Sequence, residues 1–205
     1  MIVLAESNFV LELALRQEQF EHAERIVRLA EGNHLRLVVP ACSLIEPYQT
    51  LVRRRRERKE FSRRLQAEIK LLERSTLHHG MSTASKQVAQ TLDVGTEIET
   101  ESLEQTIDRL AQVCMVPVLS REVVGLALAM QLRYGLEPQD AIVLASVDDA
   151  LKGLGAGPKV FVNKNAKDFA TPLIERRLEE YECRLITFFP DARQYIENEL
   201  SKKTS

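Results

Sequence analysis

The chain lacks tryptophan and has few other aromatic residues, four tyrosines and seven phenylalanines in 205 positions. That excludes an extended aromatic platform on which single-stranded RNA bases would stack. Cysteine is scarce too: Cys42, Cys114 and Cys183 lie far apart and form no CxxC pair. Such a set argues against a disulfide framework and a thiolate metal site, and for reduced, buried thiols. The four histidines have no zinc-ligand spacing, with His78 and His79 adjacent and His22 and His34 isolated. No apolar run approaches the ~18 residues of a membrane-spanning helix. The opening apolar residues have no basic flank and are interrupted by Glu6 and Glu12, unlike a signal peptide. A formal charge of −2 gives no whole-chain attraction to nucleic acid and leaves room only for a local basic patch. The expectation is a soluble, cytoplasmic protein with no membrane contact.

Alternating strand and helix patterns run along what remains. Strands are predicted at Met1–Ala5, at "LRLVV" 35–39, at "MVPVL" 115–119, at "KVFVN" 159–163 and at "RLITF" 184–188. Helical spacing covers Phe9 to about Arg16, Glu18–Glu31, Ala41 to about Arg74, Glu122–Tyr134, 138–152, Thr171–Tyr181 and Asp191–Leu200. Gly32-Asn33 and Gly135 read as helix stops, and Pro138 sits in a first turn, where proline is tolerated. Between Ser75 and Gly95 a short helix is expected near 84–92. Thr96 with Glu99 fits a capping box opening another helix that runs to Cys114. Apolar strands alternating with helices predict a parallel sheet covered on both faces. The whole chain, 1–205, reads as a single domain with a helical insertion over about 52–114.

In open α/β sheets, sites form beyond the carboxyl ends of the strands. Glu6 follows the first strand, with Ser7 and Asn8 after it. Glu46 follows the second in "VVPACSLIEPY". Asp140 opens a helix in "LEPQDAIVLAS", and "NKNAKDF" supplies Asn163, Asn165 and Asp168. Taken singly, each has an ordinary reading: Asp140 favours a helix N-terminus, Glu46 is a solvated helix residue, and Asp168 belongs to a turn. Taken together, converging carboxylates repel and call for a cation, and hard oxygen donors suit Mg²⁺ or Mn²⁺.

The stretches "LAESNFVLELAL", "VVPACSLIEPY", "LEPQDAIVLASV" and "VFVNKNAKDFATPLI" resemble the PIN-domain family, in that order and at those approximate positions. The resemblance covers roughly 1–50 and 115–190 and leaves out the insertion. It implies a three-layer α/β/α sandwich around a parallel sheet. It also implies Mg²⁺- or Mn²⁺-dependent hydrolysis of RNA phosphodiester bonds, as in toxin-type nucleases. Carried over by position, Glu6, Glu46 and Asp140 match the first three acids. The fourth position falls on Asn165 or Asp168. Glu6, Glu46, Asp140 and Asp168 are then the catalytic acids, with Asn165 completing the metal shell and Ser7 and Asn8 donating to phosphate or to a ligand carboxylate. The family's first acid is nearly always Asp, and Glu6 adds one methylene, about 1.5 Å of reach. The alternative function is a weak or inactive PIN-like module that binds RNA or a protein partner.

Two stretches remain. "RRRRERKEFSRR" at 53–64 holds eight basic and two acidic residues. Arg53, Arg54, Arg55 and Arg56 are candidate phosphate contacts, against the reading of a solvated face with pairs such as Arg53–Glu57 and Arg56–Glu60. The acidic "EIETESLEQTID" at 97–108 is a candidate counterpart to it. The insertion is also a candidate surface for self-association into a homo-oligomer or for an inhibitory antitoxin. "GLGAGPK" at 153–159 looks like a nucleotide loop but follows a helix and precedes a strand, the reverse of a phosphate-binding loop. It reads as a helix stop and tight turn whose glycines supply positive φ.

Overall fold

The computed structural model describes residues 1–74 and 82–204. The chain divides into two compact units, one made of Met1–Pro47 with Gln105–Ser205 and the other of Tyr48–Glu104.

The first unit is built on a four-stranded sheet of β1 (Ile2–Ala5), β2 (Arg36–Val38), β3 (Lys159–Val162) and β4 (Cys183–Ile186), in the order β2-β1-β3-β4 with every pairing parallel. Parallel strands need crossovers, which helices provide. These are α1 (Ser7–Ala14), α2 (Phe20–Glu31), the start of α3 (Ala41–Leu72), the end of α4 (Ser82–Val113), α5 (Arg121–Tyr134), α6 (Pro138–Gly153), α7 (Ala166–Phe169), α8 (Pro172–Glu179) and α9 (Phe189–Thr204). The α/β fold expected from the alternating pattern is the fold observed.

β3 is buried at all four positions, as a central strand covered on both faces must be. Leu4, Val38 and Phe161 point to one face and pack with the buried residues of α5, α6 and α8, Leu144, Val147, Ile174 and Leu178 among them. On the other face α1 packs on α2, and α2 on α9. There Phe9 meets Phe189 edge to face with ring centroids 5.6 Å apart, a geometry that aromatic quadrupoles favour.

Several expectations are corrected. Residues 115–119 form no strand. Only Met115 bridges Val38, through Met115 N donating to Leu37 O and Val39 N donating to Met115 O, and Pro117, which has no N–H, prevents the ladder from continuing. Thr96 caps nothing: α4 begins at Ser82, and the Thr96 hydroxyl donates to the Leu92 carbonyl 3.0 Å away inside the helix. The short helix foreseen at 84–92 is part of that same α4. Among the turn glycines, only Gly157 has positive φ, at 121°, in the stretch before β3. At the end of α2 the left-handed residue is Asn33, at φ 57°, rather than Gly32. The three cysteines are free, with Cys183 buried and Cys42 and Cys114 only half-buried. Residues 75–81, which carry His78 and His79, lie outside the described residues.

Within the second unit, α3 and α4 meet at Arg58, which donates bidentately to Glu99 at 2.8 and 2.7 Å and to Thr96 at 3.3 Å. The basic and acidic segments therefore touch through this pair. Glu60, expected opposite Arg56, pairs with Arg64.

Candidate metal centre

The register Ala5↔Val162 sets Glu6 beside Asn163 at the carboxyl edge of the two central strands. The chain turns there because Glu6 is extended, with ψ −173°, and serves as the N-cap residue of α1, its carbonyl accepting from Phe9 N at 2.9 Å. Its side chain caps nothing and is 4% exposed. Glu6 Oε2 accepts from Ser7 Oγ at 2.7 Å, while Oε1 is buried with no hydrogen-bond partner. Burial pushes the Glu6 carboxyl up from 4.5 to about 7. The Ser7 hydroxyl and the Asn8 amides pull it down, and Glu46 pushes it up further.

Glu46 lies in the second turn of α3 and is half-buried. Asp140 lies in the first turn of α6, and its pKa is raised first by burial, then by the charges of Asp168 and Glu46. A hydrogen bond from Asn165 offsets part of that rise. Asn165 and Asp168 come from the turn after β3. Its shape is fixed by Asn165 N donating to Asn163 Oδ1 at 2.8 Å and by the single turn of α7 that follows. The fully buried Asn163 has its amide nitrogen unpartnered, as Glu6 has its Oε1.

Glu6, Glu46, Asp140, Asn165 and Asp168, drawn from four separate stretches, thus share one electrostatic neighbourhood. The Ser7 hydroxyl is committed to Glu6, and the half-buried Asn8 lies beside the same carboxyl. Arg53, Arg54, Arg55 and Arg56 belong to the other compact unit, where Arg53, Arg55 and Arg56 are exposed and Arg54 half-buried.

Two residues that the sequence reading passed over hold this edge together. Glu12 in α1 is fully buried and accepts from Lys164 Nζ at 2.9 Å and from Gln19 N. Lys164 also sits 5.6 Å from the centre of the Phe189 ring. An acid on the apolar face of a short helix was the available signal, because a buried carboxylate requires a partner.

The donor set is all oxygen, which suits a hard divalent ion. The partnerless Glu6 oxygen and the mutual repulsion of the acids are what such an ion would relieve. Among the described residues, no three acidic, histidine or cysteine side chains stand close enough to ligate one ion together. An ion at this edge would therefore take at most two of these carboxylates directly, with water as its other ligands.

Comparison with family models matches residues 3–169 to the PIN domain. No curated protein and no solved structure matches the chain. A match over most of the chain, on a parallel sheet with its acids gathered at one edge, makes the chain a member of the PIN-domain family, which is nuclease-type in general.

Proposed function

We propose that this PIN-domain protein is a Mg²⁺- or Mn²⁺-dependent ribonuclease that hydrolyses RNA phosphodiester bonds at the Glu6–Glu46–Asp140 edge. The observation that carries this reading is Glu6: a buried carboxyl at the end of the central strand, with one oxygen unpartnered and Glu46 close enough to raise its pKa. Burying a lone carboxyl is costly, and no contact within the fold offsets that cost at Oε1.

A bound divalent ion supplies the positive charge that lets an anionic phosphate approach the acids, and it activates water as nucleophile. Glu6 and Asp140 would hold the ion directly or through water, and Glu46 would hold it or orient the attacking water. Ser7 keeps Glu6 Oε2 in place, leaving Oε1 as the free ligand atom. Asn165 steadies Asp140, and Asp168 adds to the negative charge around it. Without the ion, burial raises the Glu6 carboxyl to about 7, so it is only partly ionised at neutral pH. Asn8 and the second unit's Arg53, Arg54, Arg55 and Arg56 are read as phosphate contacts. The chain is read as one PIN-like domain, with the second unit as its insertion, acting on RNA in the cytoplasm and open to control by an antitoxin-type partner.

Cleavage of a mixed RNA pool in Mg²⁺ or Mn²⁺ tests this reading. The native chain should cut, and Asp140→Asn should not. Cleavage that survives the substitution or a chelator sinks it. A second reading, a PIN-like binding module with little or no catalysis, is favoured by Glu6 standing where the family has Asp and by the burial that raises its pKa. It predicts RNA retention by both proteins with no cleavage by either.

A further inference from the structure

Phe188 is an aromatic side chain that its own fold does not use. Phe9, Phe161, Phe169 and Phe189 are buried, whereas Phe188 is 47% exposed. It is the N-cap residue of α9, since its carbonyl accepts from Ala192 N at 3.0 Å. That position favours Ser, Thr, Asp or Asn, whose side chains accept from the first turn, and a phenyl ring cannot do so. A single exposed apolar residue is ordinary. What sets this one apart is where it stands.

Phe188 lies two residues beyond β4, and Asn163 N donates to Ile186 O at 3.2 Å across the ends of β3 and β4. The ring is therefore at the carboxyl edge of the sheet, the edge that carries Glu6 and Asn163. Neighbouring strands lie about 4.8 Å apart, so the end of β4 is about 10 Å from the end of β1. A nucleotide flanking the scissile phosphate reaches across such a gap.

The backbone that carries the ring is held firmly. Phe189 N donates to Gln19 Oε1 at 3.0 Å, the Phe189 ring packs on Phe9, and Pro190 fixes φ in the first turn of α9. A ring so placed loses little freedom when a ligand covers it. Asp191, also in that first turn, makes the helix N-terminus unfavourable for a phosphate. The acids of the site repel phosphate as well, and a π-face offers a grip that charge does not oppose.

We infer that Phe188 is a nucleobase-stacking residue, which receives an unpaired base of single-stranded RNA next to the cleaved bond. That RNA is the ligand rests on the ribonuclease reading. The test reads binding alone, so the stack and the cleavage can fail separately.

The affinity of a labelled short single-stranded RNA is measured by fluorescence anisotropy, in Mg²⁺ and in the Asp140→Asn background so that no cutting intervenes. Phe188→Ala should weaken binding roughly fivefold to a hundredfold, the range of one base–aromatic stack. Phe188→Tyr should retain binding, and Phe188→Leu, apolar without a π-face, should not. The unfolding midpoint in urea should not fall in any of the three. Abasic positions introduced one at a time should reveal a base whose loss costs the protein with Phe188 that same factor and costs Phe188→Ala nothing. A duplex of the same sequence, whose bases stack on each other, should bind both alike. Unchanged affinity in Phe188→Ala, full binding by Phe188→Leu, or no abasic position that separates the two proteins overturns the inference and leaves the ring to a protein contact. A chain that binds no RNA overturns it too. Where the native chain cuts RNA and the stack fails these measurements, the ribonuclease reading stands without it.

Discussion

Glu6 is where a single side chain makes the strongest demand on its surroundings. Its carboxyl is raised from 4.5 to about 7 chiefly by burial. The sign follows directly. Below pH 4.5 it is protonated in folded and unfolded chains alike, and there is no penalty. As the pH rises through 7, the unfolded chain gives up its proton first, and folding loses up to about 3 kcal/mol at 1.36 kcal/mol per pKa unit. Glu6→Gln should therefore leave stability unchanged below pH 4.5 and raise it above pH 7, as read by urea unfolding across that range. A gain that does not change with pH would refute it. Mn²⁺ at pH 7 should stabilise the native chain and not the Glu6→Gln variant. The carboxylates themselves were legible in the sequence, because each falls just after a strand or in the first turns of a helix. Their mutual distances were not, since these depend on how four separate stretches of chain pack.

The elements that position these acids depend on a contact between α1 and the turn after β3. Glu12 is fully buried, and its partner Lys164 keeps side-chain exposure of 29%. The two ends of this pair are thus unequal. Lys164→Ala strands a buried carboxylate and should cost roughly 3 kcal/mol or more. Glu12→Gln leaves a lysine that can turn toward water, and it should cost less. Denaturant unfolding of both variants checks this ordering, and an equal or reversed cost refutes it. Gly125→Ala tests another element. A methyl group there meets nothing within 4 Å, so the substitution should stabilise the chain by up to about 1 kcal/mol through helix propensity. Thermal or denaturant unfolding reads the gain, and a loss of stability refutes it. All four strands of the first unit, and its helices apart from the single turn of α7, were readable from periodicity within a few residues. The stretch at 115–119 misled because "MVPVL" has a strand's composition, and Pro117 outweighs it. Thr96 misled because a capping box is a local pattern, and Thr satisfies the same hydroxyl by donating back to a carbonyl four residues earlier.

Across the whole molecule, charge is the property that the fold redistributes without changing. The net charge of −2 conceals an acidic edge on the sheet and an excess of six positive charges between Arg53 and Arg64. The structure withdraws part of that excess by committing Arg58 to Glu99, while Arg64 pairs with Glu60 inside the run. Arg53, Arg54, Arg55 and Arg56 are left as the group with which to test phosphate binding. Each phosphate that a cation neutralises on a single strand contributes about 0.7 to the slope of log affinity against log salt. Replacing all four arginines by glutamine should therefore flatten that slope by up to roughly 3 for a long RNA, and weaken binding most at low salt. A dinucleotide, with a single phosphodiester, should be cut by the native and substituted chains at the same rate. The two measurements separate gripping from cutting. A slope left unchanged would make the basic run a solvated face, and a lost dinucleotide rate would move it into the chemistry.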